Sequence, residues 1–223
     1  MEKIIYTLVR GDGISVHELG QALVARGARR VTAAVNDADV AAASALRIAN
    51  SDPAPDSAIG VWVDTVNDRC ELESAVGKFG TIVGGYLVTE STPLETSQSA
   101  MVGERTAGMM QIALLRIPSG MDKSEWFRIW RDDHTQVAID TQSTFVYRQN
   151  LVVRSLLPDA PEVAGIVEEA FPPEAMTSQH AFYAAVGDDE KLKRHQAAMW
   201  KSSKRFIDLV TIDVLPTSEY VWT

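Results

Sequence analysis

One order of segments occurs twice along this chain, and it constrains the fold more than any single motif. Lys3 to Arg10 (KIIYTLVR) is β-branched and aromatic, the pattern of a buried strand, and Gly11-Asp-Gly13 closes it. Ser15, with Glu18 three residues on, predicts a capping box for a helix over 16–26 that Gly27 stops. Strands are expected at 29–35 and 58–66, a short helix at 71–78 and a strand at 81–89 ending before Pro93. The alanine-rich stretch 39–48 fits strand or helix equally. Residues 90–108, rich in Ser, Thr and Gly, carry the crossing. The order then recurs: strand 111–117, long helix 123–141, strands 145–156 and 164–171. A mostly helical stretch follows over 172–208, interrupted near Gly187-Asp-Asp189, and a closing strand over 209–215 ends before Pro216.

Each half therefore reads β-α-β-β-α-β, the split order that lays two helices on one face of a four-stranded antiparallel sheet. An offset of about 108 residues aligns Ile4 with Ile112, Leu19 with Phe127 and Ala22 with Trp130. At that offset Arg26 falls opposite His134, so the first half lacks the helix chemistry of the second. A sheet covered on one face leaves the other bare, and two such sheets can hide their bare faces against each other. The expected fold is α+β: two tandem ferredoxin-like halves, 1–102 and 103–223, packed as an intrachain barrel with a ligand pocket between the sheets.

Composition narrows the partners. A net charge of −9 leaves no excess of Lys and Arg to neutralise phosphates, which argues against nucleic acid. There is no basic amphipathic helix and no run of 18 apolar residues, so no membrane partner is expected. Cys70 is the single cysteine, which excludes an intrachain disulfide and a multi-cysteine metal site. The chain opens directly on a strand pattern without an apolar leader, so the cytoplasm is the expected compartment.

The richest stretch for chemistry is 122–150. Trp126, Phe127, Trp130, His134, Val137, Ala138 and Thr141 share an arc of roughly 120° at helical spacing. His134 thus lies in an aromatic and aliphatic stripe, where apolar walls favour the neutral ring and suit a general acid or base. The plainer reading is a structural histidine bonded to backbone, and a Trp stripe is often simple core. In the following strand Tyr147 and Asn150 have opposite parity; Arg148 shares the face of Asn150, and Gln149 that of Tyr147. Arg148 and Asn150 form the polar set expected to point between the sheets. Of the adjacent pair Glu168 and Glu169 one must face inward, where it can pair with Arg116 or Arg148 or orient His134. No metal site is expected, because Asp132 and Asp133 point away from His134 and no second ligand is fixed. His17, His180 and His195 read as surface.

Trp130-Arg-Asp-Asp-His134, with Phe145-Val-Tyr-Arg-Gln-Asn150 and Glu168-Glu-Ala-Phe171, resembles the EthD family of the dimeric α/β-barrel superfamily over about 108–220. Residue by residue the match is Phe127, Trp130, His134, Tyr147 and Asn150. Thr135-Gln-Val137 departs from the Ala-Pro-Leu that often follows the family histidine, so substrate choice does not transfer. The resemblance implies a barrel enzyme working without cofactor, of lyase, cyclase or dehydratase type, on a hydrophobic, aromatic or polycyclic small molecule. His134 would move a proton, and Trp126, Phe127, Trp130, Tyr147, Arg148, Asn150 and Glu168 would hold the guest. The alternatives are an oxidoreductase, with His134 as haem ligand or as base of a cofactor-free oxygenase, and a non-catalytic ligand carrier. A homodimer of tandem chains is a possible assembly.

Overall fold

A computed structural model of the chain describes residues 1–95 and 101–223. Its eight strands are β1 (Glu2–Arg10), β2 (Arg30–Val35), β3 (Ser57–Val63), β4 (Gly80–Glu95), β5 (Met109–Leu115), β6 (Val146–Ser155), β7 (Gly165–Phe171) and β8 (Asp213–Trp222). Each half arranges its four strands as fourth-first-third-second, the order expected of split β-α-β-β-α-β units, and every pairing is antiparallel. The halves meet edge to edge, β2 with β8 and β4 with β6, so the two sheets become one closed barrel. Closure pairs all four outer strands within the chain and leaves no open sheet edge.

The helices lie outside. Helix α1 (Val16–Ala25) starts with the predicted capping box: the Ser15 backbone N–H donates to the Glu18 carboxylate at 2.7 Å, and the Glu18 N–H donates to Ser15 Oγ at 3.2 Å. With α2 (Cys70–Phe79) it covers the first half, where Leu19, Leu23, Leu72, Val76 and Phe79 pack on Ile4, Tyr6 and Leu8. The second half is covered by α3 (Lys123–Arg128), α4 (Thr135–Thr141), the short α5 (Gln179–Phe182) and α6 (Asp189–Ser203). Alternate residues of the strands fill the barrel: Ile5, Ala34, Ala58, Met110, Ile112 and Ile166 meet there. Among the described residues no helix is long and apolar enough to cross a membrane.

Several expectations are corrected. The stretch 39–48 is a 3₁₀ segment, Ala38–Leu46. β4 runs through Pro93 to Glu95; of the expected crossing 90–108, residues 96–100 lie outside the described residues. The last strand is 213–222 rather than 209–215, with Pro216 inside it. Pro216 is tolerated because β8 pairs only with β5 there; its pairing with β2 begins at Ser218. The repeat offset also shifts by one: Ile4 faces the helices while Ile112 faces the barrel, so the equivalent of Ile112 is Ile5. A slip of one residue exchanges the two faces of a strand.

The predicted helix 123–141 is one continuous rod with a π-helical turn, Ile129–His134, set between α3 and α4. Widening the turn disturbs the usual i→i+4 pairing, and the Thr135 hydroxyl donates to the Trp130 carbonyl at 3.0 Å. Ile129 and Thr135, at the start and just past the end of the turn, are buried along with Trp126, Trp130, His134 and Ala138.

Candidate functional site

Strand β6 divides the predicted site residues between two compartments. Arg148 and Asn150 point into the barrel, and Tyr147 and Gln149 point out under the helices. The barrel interior holds a buried ion network. Arg148 Nη1 donates to Glu168 at 3.3 Å and also bonds Glu219, and its Nη2 reaches Glu95 at 3.2 Å. Lys3 Nζ donates to Glu168 at 2.8 Å, bonds Glu90, and stands 4.4 Å from the centre of the Trp62 ring. Burial alone would raise the Glu168 pKa, but Lys3 and Arg148 hold it below the ordinary carboxylate range. Asn150 Nδ2 donates to the Ile166 carbonyl at 3.1 Å.

This network lies within the barrel, in the space between the two sheets. Between Ile5, Thr32, Ala58, Ile112, Glu168 and Glu219 there remains a cavity of about 10 Å³, room for roughly one water. Eight strands close on an interior that side chains can fill. His134 and Arg148 lie on opposite sides of the barrel wall, so the structure does not bring the two side chains to one face of a molecule.

The second compartment lies between that wall and the helices. His134 is 4% exposed and faces α6, with Nδ1 2.9 Å from Ser202 Oγ and its ring 4.7 Å from that of Phe206. Trp126 and Trp130 lie 5.0 Å apart, and the Trp126 indole N–H donates to the Phe206 carbonyl at 3.1 Å. Both indoles rest on Gly165 of β7; an added Cβ would come within 2.6 Å of Trp130 Cη2 and 3.1 Å of Trp126 Cη2. Below them lie Tyr147 and Gln149, and the Gln149 amide donates to the Thr135 hydroxyl at 2.7 Å. Phe127 sits at the rim, half-buried under the Arg131 guanidinium.

Burial first, and the nearby Arg205 cation second, lower the His134 pKa to about 4, so the ring is neutral at physiological pH. Burial likewise raises the Tyr147 hydroxyl well above the usual phenol range. The compartment thus offers a fixed, uncharged imidazole between aromatic walls. Its outer cover is lightly held, since Ser202 is the only buried side chain of α6.

Lys3, Glu90, Glu95, Glu219, Ser202 and Phe206 are site residues that the sequence reading does not single out, and of the pair Glu168 and Glu169 it does not say which faces the barrel. A lone charge inside an otherwise apolar strand was the available signal for Lys3. Glu219 was hidden because Pro216 was taken to end the strand. Among the described residues no group of three or more His, Cys, Asp or Glu is placed to hold a metal ion.

No family model matches the chain, and no curated protein matches it in sequence. Solved structures do match over all of its length. One is a "putative monooxygenase" from Lactobacillus acidophilus NCFM, with 8% identity, 95% of that chain covered and a TM-score of 0.52. Another is an anthrone oxidase-like protein, with 8% identity, 91% of that chain covered and a TM-score of 0.50. At such identities the likeness concerns the fold, which is that of the dimeric α/β barrels, here closed within one chain.

Proposed function

We propose that this chain is an EthD-like enzyme of small-molecule metabolism, acting in the cytoplasm, with its site in the layer between β6–β7 and the helices. Residues 103–223 carry the site, and residues 1–102 supply the other half of the barrel. The observation that carries the reading is the neutral imidazole of His134, fixed by Ser202 and walled by Phe206, Trp126 and Trp130. With Ser202 accepting from Nδ1–H, Nε2 is left as the proton acceptor. The guest is a flat, hydrophobic molecule with an acidified C–H or O–H, and it reaches the layer when α6 and the segment after it lift, which breaks the Ser202–His134 and Phe206–Trp126 contacts. His134 takes the proton in the first step. Burial and Arg205 disfavour its conjugate acid, so the ring gives the proton back readily but is a weaker base than an ordinary imidazole.

A deprotonated guest can follow either of two courses. Expulsion of a leaving group from the carbanion (water after protonation, for a dehydratase) gives lyase or dehydratase chemistry, and attack of the carbanion on a carbonyl of the same guest gives cyclase chemistry. Reaction of the carbanion with O₂ gives cofactor-free oxidation, and this second course is favoured by the names of the two solved structures of the same fold. Anthrone serves as probe for both: loss of its methylene proton is the shared step, and with O₂ as oxidant anthrone plus O₂ gives anthraquinone plus water. Incubation in D₂O under nitrogen should show protein-dependent deuterium uptake at the methylene carbon. In air, anthraquinone should form with one O₂ consumed per molecule if the oxidative course holds. A protein that accelerates neither process across a panel of flat aromatic ketones and phenols refutes the enzyme and supports the carrier alternative.

A further inference from the structure

Glu169 has no task in that reading, although it stands in the same layer. Strand β7 sets it on the helix-facing side, directly across from Tyr147 on β6 and Gln111 on β5. Val167, two residues earlier on the same face, belongs to the cluster around Trp126 and Trp130. Two buried polar atoms of this layer make no well-formed hydrogen bond among the described residues: Glu169 Oε1 and the Trp130 indole Nε1, the latter close enough to the Tyr147 hydroxyl to favour its charged form. Orphaned buried groups are uncommon because each loses its bond to water without replacement, so two within one layer call for a missing partner.

The chemistry of the two atoms defines that partner. An indole N–H only donates, so whatever it meets must accept. We infer that the Glu169 carboxyl and the Trp130 indole N–H form a paired polar site for the carbonyl oxygen of a flat aromatic ketone; this rests on the helix–sheet layer being the substrate site. Burial alone, with no charged side chain contributing, pushes Glu169 up to about 8, so at neutral pH it keeps the proton it would donate. Tyr147, Gln111 and Trp130 are the groups around it, and Arg131 acts on Tyr147 from the same side. When His134 removes a proton beside the ketone, negative charge moves onto that oxygen, and the two donors stabilise it where water is excluded. A buried carboxylic acid kept neutral to donate in this way is an established solution for enolate chemistry.

The test compares 9-fluorenone with fluorene, the same ring system without the oxygen, in wild type, Glu169→Gln and Glu169→Leu, with binding followed by tryptophan fluorescence. Wild type should prefer fluorenone by tenfold or more at pH 7 and lose the preference above about pH 8. Glu169→Gln, whose amide N–H still donates, should keep the preference at both pH values. Glu169→Leu should bind the two compounds alike. Fluorene binding with no preference for fluorenone in wild type overturns the donor pair, assigns the orphaned atoms to a buried water, and leaves the aromatic layer standing. Preference undiminished in Glu169→Leu overturns it equally. If wild type binds neither compound, the layer is not the site and both readings fall. Should Glu169→Leu not fold, the pH profiles of wild type and Glu169→Gln decide alone.

Discussion

His134 and Ser202 are 68 positions apart in the chain, yet their side chains meet at 2.9 Å beneath α6. This contact closes the helix layer over the imidazole and fixes which way the ring faces. The account of this protein turns on what that enclosure does to the ring.

The first consequence is a titration. Burial lowers His134 from 6.5 to about 4, so between these values the unfolded chain binds more protons than the native one. Native stability contributed by the neutral ring is therefore complete above pH 6.5 and is lost as pH falls toward 4. Urea midpoints for wild type should drop over that window more steeply than those of His134→Gln. An imidazole ¹³C resonance titrating near 6.5 contradicts the enclosure.

Glu169 gives the opposite sign. Its native pKa of about 8 lies above the ordinary 4.5, so the native state holds the extra proton and stability falls as pH rises through that interval. Glu169→Gln removes the dependence and should be the more stable protein at pH 8.5, by an amount on the order of a few kcal/mol. Equal denaturation midpoints at pH 8.5, or a wild type that is the more stable there, would remove the basis for a neutral Glu169.

Within the barrel, Arg148 joins Glu168, Glu219 and Glu95. Arg148→Met leaves buried carboxylates without their cation and should cost roughly 3–5 kcal/mol by urea denaturation. Adding Glu219→Gln should recover part of that loss. If the double variant is no more stable than the single one, the two residues are not coupled as the ion pair requires.

Gly165→Ala probes the floor under the indoles. The new methyl would stand 2.6 Å from Trp130 and 3.1 Å from Trp126, so both rings must move or the strand must shift. A loss of about 1–3 kcal/mol is expected, together with altered tryptophan emission. An unchanged emission spectrum and midpoint would show that the layer has slack.

Much of the fold was legible because it rests on local patterns. The Ser15–Glu18 box, the apolar strand from Lys3 and the repeated segment order all act over a few residues. The π turn was not legible, because the spacing of Trp126, Trp130 and His134 fits an ordinary helix and the widening shows only in hydrogen bonding. Parity separated Arg148 from Tyr147, but nothing local told which compartment His134 would share. That depended on α6 returning to lay Ser202 and Phe206 against the ring. Which of Glu168 and Glu169 faces inward was not legible, because adjacent carboxylates on a strand look alike until the barrel assigns one to the ion pairs and the other to an apolar layer.

The central claim is that His134 takes a proton from the guest. Deuterium uptake by anthrone under nitrogen, compared between wild type and His134→Ala at equal concentration, tests it most directly. The account predicts a fall of about 10²–10⁴-fold in the variant, measured at a temperature where circular dichroism shows it still folded. Uptake as fast in the variant as in wild type contradicts it.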